Sequence, residues 1–306
     1  MLFLQSDYFD LKQIADSGQC FRMVPLKDAQ TPSCFSRESS EKTTGFSVIS
    51  RSRLLKIYQR GEEFFFHCPD EDNDYWLFYF DLKRDYQSMA ASVSCDDHYL
   101  CAAAKAGRGI RILNQDPWEM IITFVISQQK TIPKIREAVE ALSRHYGSPI
   151  PSSPESSSFP DTYQLSKASL EELQALKLGY RAKYIYKICQ DAVLGHLDLS
   201  LLPDMNYSQA MEYLTKFYGI GTKVANCICL FGLHQIDAFP VDTWIQKILL
   251  KEYYNDSYSD VPKSKIYEKI VKDHFGQYKG YAGLMQQYIF FYERLLQGKG
   301  YRVGGR

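Results

Sequence analysis

Apolar and polar positions alternate in short bursts along the first third of the chain and then change rhythm. Over Phe46–Ser50, Leu54–Tyr58 and Glu63–Cys68, β-branched and aromatic residues fall into short runs parted by polar or glycine-bearing turns such as Arg60-Gly61-Glu62. That pattern predicts strands. The polar segment Gln30–Thr44 predicts an exposed hairpin loop. From about Tyr75 the spacing becomes helical, and Gly107-Arg108-Gly109 marks a junction. Asp116-Pro117 then supplies an N-cap and a first-turn proline ahead of the apolar stretch Trp118–Ser127. Helical spacing follows over Ile132–Tyr146, Leu170–Leu176, Arg181–Leu194, Tyr207–Tyr218, Thr222–Phe231, Thr243–Glu252, Lys263–Phe275 and Leu284–Leu296. Ser148–Pro160, with four prolines and six serines in thirteen residues, reads as a long surface loop. The chain is thus expected to be α+β: a small N-terminal antiparallel β-sheet domain over residues 1–112, packed on an all-helical body over residues 113–306.

Composition narrows the class. At 306 residues, 24% charged and 45% hydrophobic, the chain is an ordinary globular protein of one large or two packed domains. Its 36 Lys+Arg balance 36 Asp+Glu, which excludes holding nucleic acid by bulk positive charge but leaves a local phosphate site open. None of the eight cysteines forms a CxxC pair, and no spacing suits zinc or an iron–sulfur cluster. The start MLFLQSDYFDLKQ lacks a basic, long apolar signal sequence, and no run of about 18 apolar residues suggests a membrane span. A reducing intracellular compartment follows, cytoplasmic or nucleoid-associated in a prokaryote and nuclear in a eukaryote, with no membrane partner.

Candidate chemistry gathers in Phe217–Phe231 and Phe239–Trp244. One helix ends near Tyr218, a tight Gly219-Ile220-Gly221 turn follows, and the next helix opens at Thr222. Two glycines in three residues permit positive φ and close backbone approach, and the amides opening the second helix suit an anionic phosphate. Taken alone, the turn is an ordinary helix corner, Lys223 a solvated lysine and Asp242 an N-cap. Lys223 nevertheless stands amid apolar residues beside that turn, where shielding from water favours an amine nucleophile. Asp242 follows Pro240-Val241 nineteen positions on. Jointly, turn, lysine and Pro-Val-Asp outweigh the bland readings.

Residues 217–244 resemble the helix-hairpin-helix and Gly/Pro-Asp signature of the DNA base-excision glycosylases, with the lysine of the bifunctional branch. More specifically, the chain is similar to 8-oxoguanine DNA glycosylases. Ser17–Arg22, Tyr79–Leu82, Arg111–Pro117, Leu178–Tyr184 and Tyr281–Phe290 occur in that family's order, so the likeness runs from about residue 8 to 296. It implies a helix-hairpin-helix glycosylase body and a monomer acting on damaged double-stranded DNA. Lys223 would attack C1′ of an extruded nucleotide, and Asp242 would stabilise the cationic sugar. Gly18, Cys227, Gln286 and Phe290 would form the damaged-base pocket. Gln128, Tyr180, Arg181 and Lys134 would serve the opposite strand, and Gly219, Gly221 and Trp244 the phosphates. A glutamine run stands where many relatives have asparagines, Lys134 where arginine is frequent, and Trp244 where histidine is frequent. No cofactor is required by this scheme, though hairpin carbonyls could hold a monovalent cation bridging to phosphate. An alkylated-base glycosylase, which usually lacks the hairpin lysine, and a non-catalytic DNA-binding module are the alternatives.

Overall fold

The computed structural model describes residues 2–26 and 42–298, so most of the hairpin loop expected over Gln30–Thr44 lies outside the described residues. Strands β1 (Leu2–Gln5), β2 (Met23–Pro25), β3 (Thr44–Ser50), β4 (Arg53–Arg60) and β5 (Glu63–His67) form one antiparallel sheet in the order β1-β5-β4-β3-β2. The three expected strands are its centre. The flanking β1 and β2 hold four and three residues, too few to carry a readable period. Phe46 pairs with Ile57 and Ile57 with Phe66, so one face is a continuous apolar row across the strands. Helix α1 (Leu11–Asp16) covers that face with Leu11, Ile14 and Ala15. It interrupts a region expected to be mostly β, and Asp10 starts it by accepting from the amide of Gln13 at 2.7 Å.

The chain then becomes helical: α2 (Asn73–Tyr79), α3 (Tyr86–Ala91), α4 (His98–Ala106), α5 (Pro117–Ser127) and α6 (Ile132–Tyr146). A short hairpin, β6 (Pro149–Ile150) with β7 (Ser153–Ser157), stands where a plain loop was expected. It is held inward by buried Ile150 and Phe159, and the Ser157 carbonyl accepts from Arg22 at 2.6 Å. After it come α7 (Thr162–Ser166), α8 (Leu170–Ala175), α9 (Arg181–Val193), α10 (Tyr207–Leu214), α11 (Thr222–Phe231), α12 (Thr243–Ile248), α13 (Ile266–Phe275) and α14 (Ala282–Leu296). Several differ from their expected spans: α13 begins three residues after Lys263 and α14 two residues before Leu284. Helix α10 stops four residues short of Tyr218, and α12 gives way at Leu249–Tyr253 to a π-helical turn.

Helix α5 is the axis of the body. The side chain of Asp116 accepts from the amide of Glu119 at 3.0 Å, Pro117 occupies the first turn, and every residue from Trp118 to Ile126 is buried. The helical core also takes in Phe21, Tyr86, Leu100, Ile110 and Ile112, so the N-terminal third is stitched into it. Arg111 secures the seam: it donates to the carbonyls of Tyr8 and Asp81 at 2.8 Å each and lies 4.6 Å over the Tyr86 ring. Near the same seam, burial pushes the Glu119 carboxyl up to about 7, with Arg22 opposing and Asp116 and Glu140 adding to the rise.

Two stability measurements test this seam. Arg111→Met leaves the Tyr8 and Asp81 carbonyls without their donor and is expected to remove about 3 kcal/mol, read from the urea midpoint. For Glu119 the folded value lies above the ordinary 4.5, so its contribution is full at acid pH and lost as the pH rises through 7. Glu119→Gln is therefore expected to stabilise the fold at pH 8 by up to about 3 kcal/mol and to leave it unchanged at pH 4.

Candidate active site

The turn between α10 and α11 depends on one glycine. Gly219 has φ +92°, and a Cβ there would lie 2.5 Å from Cγ of Tyr184 on α9. The close approach lets the Tyr184 ring meet Tyr218 edge-on at 4.9 Å and Tyr180 at 5.5 Å. Gly221 differs. Its φ is −87°, and a Cβ would meet nothing within 4 Å, so the backbone opening α11 faces free space.

Lys223 lies in the first turn of α11, half-buried, with its amine 5.6 Å from the centre of the Phe124 ring on α5. Phe124 is itself stacked on Phe231 at 5.3 Å, giving the lysine an apolar wall. One turn on, the thiol of buried Cys227 is raised by burial, pulled back by the neighbouring Lys223 and pushed further by Asp242. Lys223, Cys227 and Asp242 therefore share one electrostatic neighbourhood. Asp242 accepts from the amides of Trp244 and Ile245 at 2.9 and 2.8 Å, which caps α12 and fixes its carboxylate.

The expected base-pocket residues join this centre from two further elements. Gln286, 4% exposed on α14, donates to the Pro240 carbonyl at 3.2 Å, two residues before Asp242. Its neighbour Gln287, 3% exposed, donates in turn to Oε1 of Gln286 at 2.9 Å. Phe290 sits one turn beyond Gln286, and a Cβ on Gly18 (φ +77°) would come within 3.1 Å of its Cε1. The turn after α1 and the last helix thus meet at Gly18 and Phe290, although 272 positions apart.

The expected opposite-strand residues sit beside the hairpin. Gln128, capping the end of α5, donates to the Gly219 carbonyl at 3.0 Å and to the Val125 carbonyl at 3.2 Å. Arg181, 7% exposed, donates from Nε to the Gln128 carbonyl at 2.8 Å, also from Nη2, and from Nη1 to the Leu178 carbonyl at 3.2 Å. Its guanidinium lies 4.4 Å over the ring of Tyr180, which is 44% exposed. With the Gln128 amide turned inward, the exposed glutamine at this edge is Gln129, held at φ +50°, a conformation that disfavours any residue except glycine. Spacing alone did not separate it from Gln128. Lys134 is exposed and paired with Glu137 at 2.6 Å. Trp244 lines a cleft of about 480 Å³ with Lys247, Ile248, Lys251, Glu293 and Gln297 rather than the mouth of the hairpin. Among the described residues no three His, Cys, Asp or Glu side chains gather as metal ligands, and no helix is long and apolar enough to cross a membrane.

Comparison with known proteins matches this geometry. The 8-oxoguanine DNA glycosylase N-terminal domain profile covers residues 1–121, and that of the HhH-GPD superfamily base excision DNA repair proteins covers residues 122–272. The N-glycosylase/DNA lyase of Saccharomyces cerevisiae is 31% identical over 92% of this chain and 82% of its own length. The chain belongs to the HhH-GPD base-excision repair family. Within that family it is similar to a solved Clostridium acetobutylicum 8-oxoguanine glycosylase/lyase in complex with double-stranded DNA containing cytosine opposite 8-oxoguanine. That likeness has a TM-score of 0.81 at 29% identity and covers 97% of this chain and 99% of the other. MBOgg1 in complex with a low-affinity DNA ligand gives a TM-score of 0.80 at 28% identity over 96% of each chain.

The two hairpin glycines offer a paired test. Gly219→Ala is expected to lower the melting temperature by several degrees, on the order of 2 kcal/mol, because Cβ and Tyr184 cannot coexist and the φ is unfavourable. Gly221→Ala is expected to melt with the parent protein. Equal melting of all three proteins would contradict the close approach.

Proposed function

We propose that this chain is a bifunctional DNA glycosylase/AP lyase of base excision repair. It extrudes 8-oxoguanine from duplex DNA, excises it through a lysine Schiff base and cleaves the strand by β-elimination. The observation that carries this reading is the shared neighbourhood of Lys223, Cys227 and Asp242, to which Gln286 is tied through Pro240. A binding module has no need of a half-buried lysine grouped with Cys227 and Asp242, or of Gly18 brought against Phe290. The family membership and the glycosylase/lyase relatives support the same conclusion.

The chemistry follows from the groups present. Extruding the nucleotide costs a few kcal/mol of stacking and pairing, about what a filled pocket and a plug can return. The amine nitrogen of Lys223 forms a bond to C1′ as the glycosidic bond breaks, and that electron pair and the proton shed by the nitrogen leave with the base. Asp242, rigid because two backbone amides hold it, opposes the positive charge that grows on the sugar. Opening of the sugar ring gives an imine between C1′ and Nζ. Loss of a C2′ proton then expels the 3′ phosphate. Phe290 offers a stacking face, Gln286 a donor and an acceptor for the Watson–Crick edge, and Gly18 a backbone carbonyl against the damaged side of the ring. Cys227 would close the other face.

On the opposite strand, Tyr180 would wedge the duplex and Arg181 read the orphaned base with the two N–H groups its carbonyl partners leave. Gln128 would brace the hairpin while Gln129 enters the gap. Lys134 and Trp244 would meet phosphates, Lys134 after leaving Glu137. The Gly221 end of the hairpin would receive the phosphate beside the lesion. A monovalent cation there would share carbonyls already in use, since Phe217 O accepts from Ile220 and Gly219 O from Gln128, both at 3.0 Å. No step requires it. All these groups come from one chain, which suits action as a monomer inside the cell.

Borohydride trapping tests the core of this reading. The protein is expected to form a covalent adduct with duplex DNA carrying 8-oxoguanine, and Lys223→Gln none while still binding the duplex. Asp242→Asn keeps a capping side chain, so its expected loss of about 10²–10³-fold in excision isolates the charge. An adduct with Lys223→Gln would overturn the assignment.

A further inference from the structure

We infer that Gln287 sets purine specificity by pinning the amide of Gln286 in one orientation, an inference that rests on the base-pocket reading above. The relay has a polarity that can be read from its end. The Pro240 carbonyl can only accept, so Gln286 must turn Nε2 toward it, and the observed separation is 3.2 Å. Oε1 of Gln286 then faces Gln287, which supplies an N–H at 2.9 Å. Both ends of the Gln286 amide are therefore held, and a flip would set oxygen against oxygen at Pro240.

Orientation matters because an amide presents one donor and one acceptor side by side. A guanine-type edge offers an O6 acceptor next to an N1–H donor. An adenine-type edge offers a 6-amino donor next to an N1 acceptor, the reverse order. One orientation of the same amide fits the first and the flipped orientation fits the second. Whatever pins the amide thus chooses between purines without touching the base. Gln287 is placed to do so. It is 3% exposed on α14, about 60° round the helix from Phe290. Its own Oε1 is buried with no hydrogen-bond partner. A buried amide oxygen left without a donor is a departure from the ordinary rule that buried polar groups are paired, and a leucine in its place would carry no such penalty. What the glutamine supplies here is the N–H to Gln286. Gln287 is accordingly a positioning residue, acting through Gln286.

The experiment compares kcat/KM for 8-oxoguanine and 8-oxoadenine in otherwise identical duplexes, alongside β-elimination at a preformed abasic site. Gln287→Glu is close in size but, as a carboxylate, cannot donate to Gln286 Oε1. The preference for 8-oxoguanine is expected to fall about tenfold, in line with the loss of one polarised base-edge contact. It should recover as the pH is lowered, because the protonated carboxyl can donate again. Gln287→Leu should lose the preference at every pH. Abasic-site cleavage involves no base and is expected to stay within about twofold of the parent, which also reports that each variant is folded. If one variant loses abasic cleavage, the other decides. A ratio unchanged in a folded variant would overturn the inference. Failure of the parent protein to release 8-oxoguanine at all would instead overturn the proposed function, so the two failures are distinct.

Discussion

The position of the hairpin and of the lysine in the candidate site follows from the burial of α5. A helix that is buried on all sides cannot slide or rotate without exposing part of the core, so its two ends and its one functional face are fixed together. Its Phe124 ring forms the wall beside Lys223, and its C-terminal residue Gln128 reaches the hairpin carbonyl of Gly219. Its first turn carries Glu119 to the seam with the sheet. The hairpin, the lysine and the N-terminal domain are registered against a single element, and distances among them are inherited from its packing.

That registration also accounts for a protein of zero net charge in DNA repair. Bulk charge governs loose, salt-sensitive association, whereas discrimination depends on shape and on a few oriented groups. Part of the charge is spent internally: Arg22, Arg60 and Arg111 are buried and bonded within the protein. The groups left for a ligand are mostly neutral: backbone at Gly221, an exposed tyrosine ring at Tyr180, amides at Gln129 and Gln286. Such groups would recognise one distorted arrangement of DNA better than DNA in general.

The parts legible in the sequence were those with a local cause. The Asp116-Pro117 start of α5, the Gly219-Ile220-Gly221 turn and the alternation in β3, β4 and β5 all arise from neighbouring residues, and each formed where expected. The hairpin within Ser148–Pro160 was hidden because its proline- and serine-rich composition resembles a loop, and only contact with Arg22 and the core distinguishes it. The π-helical turn after α12 likewise has no local signature. Gln128 and Gln129 are adjacent and identical in type, and only the bond from Gln128 to Gly219 separates the one turned inward from the one left outside. Gln287 gave no signal at all, since a relay running from one side chain through another to a distant carbonyl exists only after folding.

The polar groups that would read DNA are already occupied before DNA arrives, and they are occupied in two different ways. Arg181 gives three of its five N–H donors to the carbonyls of Gln128 and Leu178 and keeps two. Those two would meet the acceptors of an orphaned base, which penalises a partner that offers fewer. Gln286 is held by Pro240 and Gln287 but retains a second N–H and a second lone pair, so it can read a base without surrendering either bond. Its reading is an addition to a preorganised amide. The strand opposite the lesion would thus be checked by a guanidinium that only donates, and the lesion itself by an amide that both donates and accepts. A single fold supports both because the carbonyls that hold Arg181 and the carbonyl that holds Gln286 belong to segments packed on the same hydrophobic core.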